Sequence, residues 1–179
     1  MSEVEILHFG STTVALMAIE RDKPARQAER AAAQAVASLL LGREVRIEHH
    51  EDGAPFIADY GGSVSISHSR STVAVAIDAE RTIGIDIEDC ERAARMPSIA
   101  PRVLTASEID AYSGAEELLR AWTLKEAAYK AARAGVDFLH DIQLPCDGSR
   151  RVTAAGIALE IVASGTQGGQ MLSLVAKCG

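Results

Sequence analysis

Between Ser63 and Glu88 three apolar runs, Ser63–Ser67, Thr72–Asp78 and Thr82–Glu88, follow one another with only short polar breaks. Breaks of that size leave no room for a crossover helix, so the runs must reverse direction, and an antiparallel meander is expected. The middle run, TVAVAID, is the clearest strand in the chain. Upstream, Val4–Phe9 and Thr13–Ile19 read as two strands around Gly10-Ser11. Asp22 reads as an N-cap and Pro24 falls in the first turn of an Ala-rich helix that runs to Leu41 and stops at Gly42. Val45 and Ile47 then alternate with charged residues, Asp52-Gly53 marks a turn, and Pro55–Ile57 resumes an extended path. Downstream, a short helix is expected from Thr105 and a long one over residues 115–134, ending at Gly135. Strands are expected near His140–Leu144, Ile157–Ala163 and Met171–Lys177. Strands, one long helix and more strands thus recur, which predicts an α+β fold of two similar α/β halves, residues 1–80 and 81–179. Each half has an antiparallel sheet and one long helix. The sequences of the halves show no repeat; the inference rests on element order.

The chain of 179 residues is 47% hydrophobic and 24% charged, enough to fill a core, and no apolar stretch is long enough to span a membrane. The N-terminus, MSEVEILHFG, has no basic region followed by an apolar one, and Cys90, Cys146 and Cys178 share no metal-ligand spacing. A cytoplasmic protein with reduced thiols is expected. Net charge is 18 − 25 = −7, which argues against nucleic-acid binding through bulk positive potential. An anionic ligand would need a local basic cluster, backbone N–H groups or a metal ion.

The run IGIDIED, residues 83–89, poses a physical problem. Side chains alternate along a strand, so Asp86 and Glu88 project to one face, where like charges repel. An edge strand with its polar face in water is one solution. A hard-cation site is the other, because Mg²⁺ takes oxygen ligands and would neutralise the pair. A third carboxylate favours the cation: in AWTLKEAAYKAAR, Trp122, Glu126 and Lys130 fall at i, i+4 and i+8 on one helical face. By itself Glu126–Lys130 is also an ordinary solvated pair. In SVSISHSRSTVAVAI, His68 and its flanking serines lie where the chain turns, a set of donors suited to phosphate oxygens.

SISHS, GIDIE and WTLKEAAYK, in this order, resemble the signature of the 4′-phosphopantetheinyl transferase family, in its pseudodimeric branch that activates surfactin synthetase. The likeness covers roughly residues 53–130, and DGAPFI, residues 52–57, resembles the family's Gly-Lys-Pro element. The resemblance implies a pseudodimer that acts as a monomer. It implies Mg²⁺-dependent transfer of phosphopantetheine from coenzyme A to a serine of an apo acyl- or peptidyl-carrier protein, with release of adenosine 3′,5′-bisphosphate. By motif, Asp86, Glu88 and Glu126 are the implied Mg²⁺ ligands. By the same matching, Ser67 and His68 are implied to contact the nucleotide phosphates, Lys130 to reach the pyrophosphate, and Gly53, Ala54 and Pro55 to form the loop at the adenine. His68 and Lys130 thereby count among the catalytic groups.

The chain departs from the family in three places. Ala54 stands where members often have lysine. RVLTASE lacks the usual aromatic residues, and its Glu108 matches a proposed general base while also completing a Thr105–Glu108 capping box. The basic residues for the 3′-phosphate have no motif match; Arg21, Lys23, Arg26 and Arg30 are candidates by location, or a solvated helix face. Lys125, on another helical face, serves local structure or carrier docking, for which Arg92, Arg95, Arg102 and Arg120 are further candidates. Two alternatives stand beside the transferase: a Mg²⁺-dependent phosphohydrolase or nuclease, and a non-catalytic homologue that binds coenzyme A or a carrier.

Overall fold

The computed structural model describes residues 3–20, 24–133 and 135–179. Arg21, Lys23 and the expected N-cap Asp22 lie outside those residues, and so does Ala134 at the expected end of the long helix. The chain forms a hairpin of β1 (Val4–Phe9) and β2 (Thr12–Ala18), then α1 (Ala25–Leu41). A small hairpin of β3 (Ile47–His49) and β4 (Pro55–Ile57) precedes β5 (Ser63–His68) and β6 (Thr72–Asp78). β7 (Ile83–Asp89) leads through short helical turns, including α2 (Met96–Ile99), to α3 (Ala106–Ala111) and α4 (Ala115–Ala132). β8 (Ile142–Gln143), β9 (Arg151–Ala154), β10 (Ile157–Gln167) and β11 (Gln170–Lys177) complete it. The strands build two larger antiparallel sheets, ordered β1-β2-β6-β5 and β7-β11-β10-β9-β8.

Alternation along the strands sets the layers. Val73 and Val75 of β6 face Ala32, Ala33, Val36 and Ala37 of α1. Ala74 and Ala76, on the opposite face, pack with Ile83, Ile85 and Ile87 of β7 and with Leu172 and Leu174 of β11. Leu119, Leu124, Ala127 and Ala128 of α4 cover the outer face of the second sheet with Leu159 and Val175. The order is helix, sheet, sheet, helix. Small alanines on both helices let each approach its sheet closely. Gly42 ends α1 in the left-handed conformation, φ 63°, as the sequence predicts. At its other end Pro24 occupies the N-cap position, with no side-chain cap. Among the described residues no helix is long and apolar enough to cross a membrane.

The expected meander holds only for β5 and β6. β7 pairs with β11 in the other sheet. The reason lies in the alternating serines. β7 is an edge strand, and the N–H groups of Ile83, Ile85 and Ile87 point away from β11. The hydroxyls of Ser63, Ser65 and Ser67, on the inner face of β5, accept them at 3.2, 3.0 and 3.2 Å. An unpaired edge is thus closed by a ladder of side chains across the seam between the sheets. At the turn into β7, Asp78 accepts the N–H groups of Glu80 and Arg81, which swings the chain out of the first sheet.

The short strand β9 was not expected from the sequence; it is held by the tight Ala155-Gly156 turn into β10, both residues at positive φ.

Gly84 fixes how near α4 comes. A Cβ there would meet the Ala127 carbonyl oxygen at 2.0 Å and the Ala131 nitrogen at 2.8 Å. Gly84→Ala is therefore expected to cost about 3 kcal/mol or more by forcing helix and strand apart. Urea unfolding measures it; a cost under ~1 kcal/mol would contradict the contact.

Candidate active site

Asp86 and Glu88 share the face of β7 that carries Gly84, so the close approach of α4 lays Glu126 and Lys130 against them. Asp86 is 6% exposed. Its Oδ1 accepts from Lys130 Nζ at 2.8 Å and from Ser67 Oγ at 2.7 Å. Lys130 Nζ also donates to the Ile85 carbonyl at 2.9 Å, which pins it over the strand. Glu88 accepts from the Arg92 guanidinium and, at 3.3 Å, from Trp122 Nε1. Sequence analysis offered Arg92 only as a carrier-docking candidate; the structure pairs it with Glu88, four residues earlier.

Burial pushes the carboxyl groups of Glu88 and Glu126 above the usual range. The Asp86 charge pushes Glu126 further, while Lys130 opposes it; Arg92 opposes the rise at Glu88. A carboxyl raised by folding contributes stability that is complete below its unfolded pKa, roughly 4.3, and is lost as pH rises through the folded value. Asp78, held at about 2, and Asp89, also lowered, lose their contribution only in more acid solution. In chelator, the protein is therefore expected to melt higher as pH falls from about 8 to 5, and Glu126→Gln is expected to weaken that trend. A variant that melts with the same pH slope would contradict it.

The residues suit a hard cation by chemistry. The donors are three oxygen acids in mutual repulsion, and Asp86 Oδ2 is buried with no hydrogen-bond partner among the described residues. Among the described residues, however, no three such side chains stand as a closed metal cluster. Lys130 and Arg92 balance the charge instead.

Gly53, Ala54, Pro55, Lys130, Arg26, Arg30 and His68 of the nucleotide-side candidates line two cavities, which share Gly53, Pro55 and Ile66. One, of about 350 Å³, runs from the Asp52–Pro55 loop to Ser65, Tyr129, Lys130 and Arg133. The other, of about 650 Å³, holds Arg26, Arg30, His49 and His68. His68 is exposed, its Nε2 3.5 Å from Glu29 of α1. Asp52 fixes the loop by accepting the Ala54 N–H at 2.9 Å. Ser67 is buried, already holds Asp86 and the Ile87 N–H, and lines neither cavity. Of the expected 3′-phosphate residues, Arg26 and Arg30 do face a cavity.

Glu108, the sequence candidate for the base, is committed to the fold. It is 3% exposed, and both oxygens are used: Oε2 accepts from the Thr105 N–H at 2.8 Å and pairs with Lys125 Nζ at 2.9 Å, while Oε1 accepts from the Leu144 N–H at 2.9 Å. The capping box is complete, and Glu108 lines neither cavity. A carboxylate so occupied is a poor acceptor for a further proton. Lys125, fully buried, serves structure and cannot dock a carrier.

Residues 82–165 match the family described as the 4′-phosphopantetheinyl transferase superfamily, a stretch that contains the carboxylates of β7 and all of α4. The chain is also 28% identical over 133 residues to 4′-phosphopantetheinyl transferase HetI of Nostoc sp.. That match takes in 66% of this chain and 56% of the relative, so the chain spans little more than half the relative's length.

Proposed function

We propose, for a chain whose residues 82–165 match the 4′-phosphopantetheinyl transferase superfamily, that it moves the phosphopantetheine arm of coenzyme A onto a serine of an apo carrier protein. The observation that carries the reading is one of convergence. The DGAPFI loop and the SISHS strand lie outside the matched stretch, yet both border the cavity of about 350 Å³ that Lys130 on the matched helix also lines. The two sheet-and-helix units, read as halves of a pseudodimer, meet along the serine ladder beside that site. A single chain then supplies both walls and acts as a monomer in the cytoplasm.

The serine hydroxyl attacks the phosphorus that bears the pantetheine arm. A serine O–P bond forms, the bridging P–O bond breaks, and adenosine 3′,5′-bisphosphate leaves with the electron pair. Asp86, Glu88 and Glu126 are the residues to hold Mg²⁺, which when bound would neutralise charge on the pyrophosphate. Lys130, tethered by Asp86 and the Ile85 carbonyl, keeps its remaining N–H for a phosphate oxygen and holds the reacting group in place. Arg26, Arg30 and His68 line the neighbouring cavity and receive the nucleotide end. Glu126 has no side-chain hydrogen bond among the described residues, which leaves its oxygens for the ion, and the proton of the serine hydroxyl passes to water.

Incubation with coenzyme A, Mg²⁺ and a panel of apo fatty-acid, polyketide and peptide carriers tests the proposal. One or more carriers should gain the phosphopantetheine mass on the active serine. Coenzyme A binding with no product on any carrier, or hydrolysis of phosphate esters without coenzyme A, would overturn it.

A further inference from the structure

The face of α4 that carries Glu126 and Lys130 continues at i+7 to Arg133, the last residue before the helix breaks. Arg133 caps α4 in the left-handed conformation, φ 52° and ψ 26°. That conformation is usual just past a helix, but glycine normally fills it, because a side chain there costs energy. One other non-glycine residue among those described has positive φ: Ala155, in a two-residue hairpin turn. Arg133 therefore holds its place against local preference, which directs attention to its side chain.

That side chain lines the cavity of about 350 Å³ between α4 and the Asp52–Pro55 loop. The charges around the cavity are unequal in availability. Lys130 spends its charge on Asp86, 2.8 Å away, and a second N–H on the Ile85 carbonyl. Asp52 uses Oδ1 on its own loop, and Ala54 beside it brings no charge. Arg133 is exposed and forms no ion pair or hydrogen bond through its guanidinium among the described residues. The uncompensated cation on this wall is Arg133.

We propose that Arg133 is a phosphate-binding residue of this cavity, a forked donor placed one helical turn beyond Lys130 to hold a phosphate of the nucleotide substrate. The assignment deepens the transferase reading and rests on it. Lys130 supplies a point charge already tied to the strand, whereas a guanidinium can grip two oxygens of one phosphate. The side chain offsets in binding what its backbone costs in stability.

Arg133→Gly separates those two effects because they run in opposite directions. The variant is expected to melt about 2–4 °C above the parent as the left-handed strain is removed. It is expected to bind coenzyme A about tenfold or more weakly by calorimetry. Pantetheine, which has no phosphate, serves as control and should bind both proteins alike. Arg133→Lys should recover only part of the affinity. If the parent binds coenzyme A and modifies a carrier while Arg133→Gly binds coenzyme A equally well, the assignment is wrong and the transferase reading survives. If the parent binds inorganic pyrophosphate but not coenzyme A, and Arg133→Gly loses that binding, the phosphate site stands and the transferase reading falls. Binding of neither ligand by the parent overturns both.

Discussion

Asp86→Asn is expected to lower transfer to a carrier protein by about 10²–10³-fold while leaving a folded protein. Asparagine preserves the shape and can still meet Ser67 and Lys130, which now contact Asp86 Oδ1 at 2.7 and 2.8 Å. It removes the charge that tethers Lys130, and it removes an anionic oxygen, Oδ2, that is buried without a partner among the described residues. Leaving an acceptor unsatisfied in the interior costs stability, so that oxygen is expected to meet a cation in the working enzyme. Intact-mass kinetics with coenzyme A, Mg²⁺ and a responsive carrier reads the loss, and circular dichroism shows whether the fold persists. A well-folded variant with turnover within a few-fold of the parent would remove Asp86 from the site. Melting with and without Mg²⁺ adds a second readout: the shift seen in the parent should vanish in Asp86→Asn.

Lys125→Met is expected to have the opposite profile, a large loss of stability with little effect on chemistry. Lys125 is completely buried and pairs with the buried Glu108 at 2.9 Å; it also donates to the carbonyls of Phe138 at 3.1 Å and Leu139 at 3.5 Å. Removing one member of such a pair strands the other charge and costs about 3–5 kcal/mol. For a chain of this size, that lowers the melting temperature by roughly 10 °C. Well below its melting point, the variant should transfer at close to the parental rate, because Lys125 and Glu108 are buried and bonded to each other and to the backbone rather than open to a ligand. Glu108→Gln checks the same assignment from the other side. A variant with unchanged melting but strongly reduced turnover would restore Glu108 as the base. Falling stability with activity retained at low temperature fits a carboxylate that ties α3 to α4 and to the approach to β8.

Local signals carried much of the fold. Gly42 stopped α1, Thr105 and Glu108 started α3, and the β-branched alternation of TVAVAID gave β6 its two buried faces, because these depend on residues a few positions apart. β9 gave no such signal, since a four-residue strand ordered mainly by its partner leaves little periodicity to read. Side-chain alternation likewise put Asp86 and Glu88 together, and helical spacing put Glu126 and Lys130 together. Sequence by itself therefore determined which groups share a face on each element, along with the family likeness of the motifs. Only the tertiary structure decided which faces meet. It sent β7 into the second sheet, where serine hydroxyls rather than a backbone ladder close its free edge. It spent Glu108 on a buried lysine, tied Lys130 to Asp86, and left Arg133 facing a cavity without a counter-charge among the described residues. The physical reason is range: periodicity fixes the direction of a side chain relative to its own backbone, whereas its partner is fixed by packing between segments far apart in the chain.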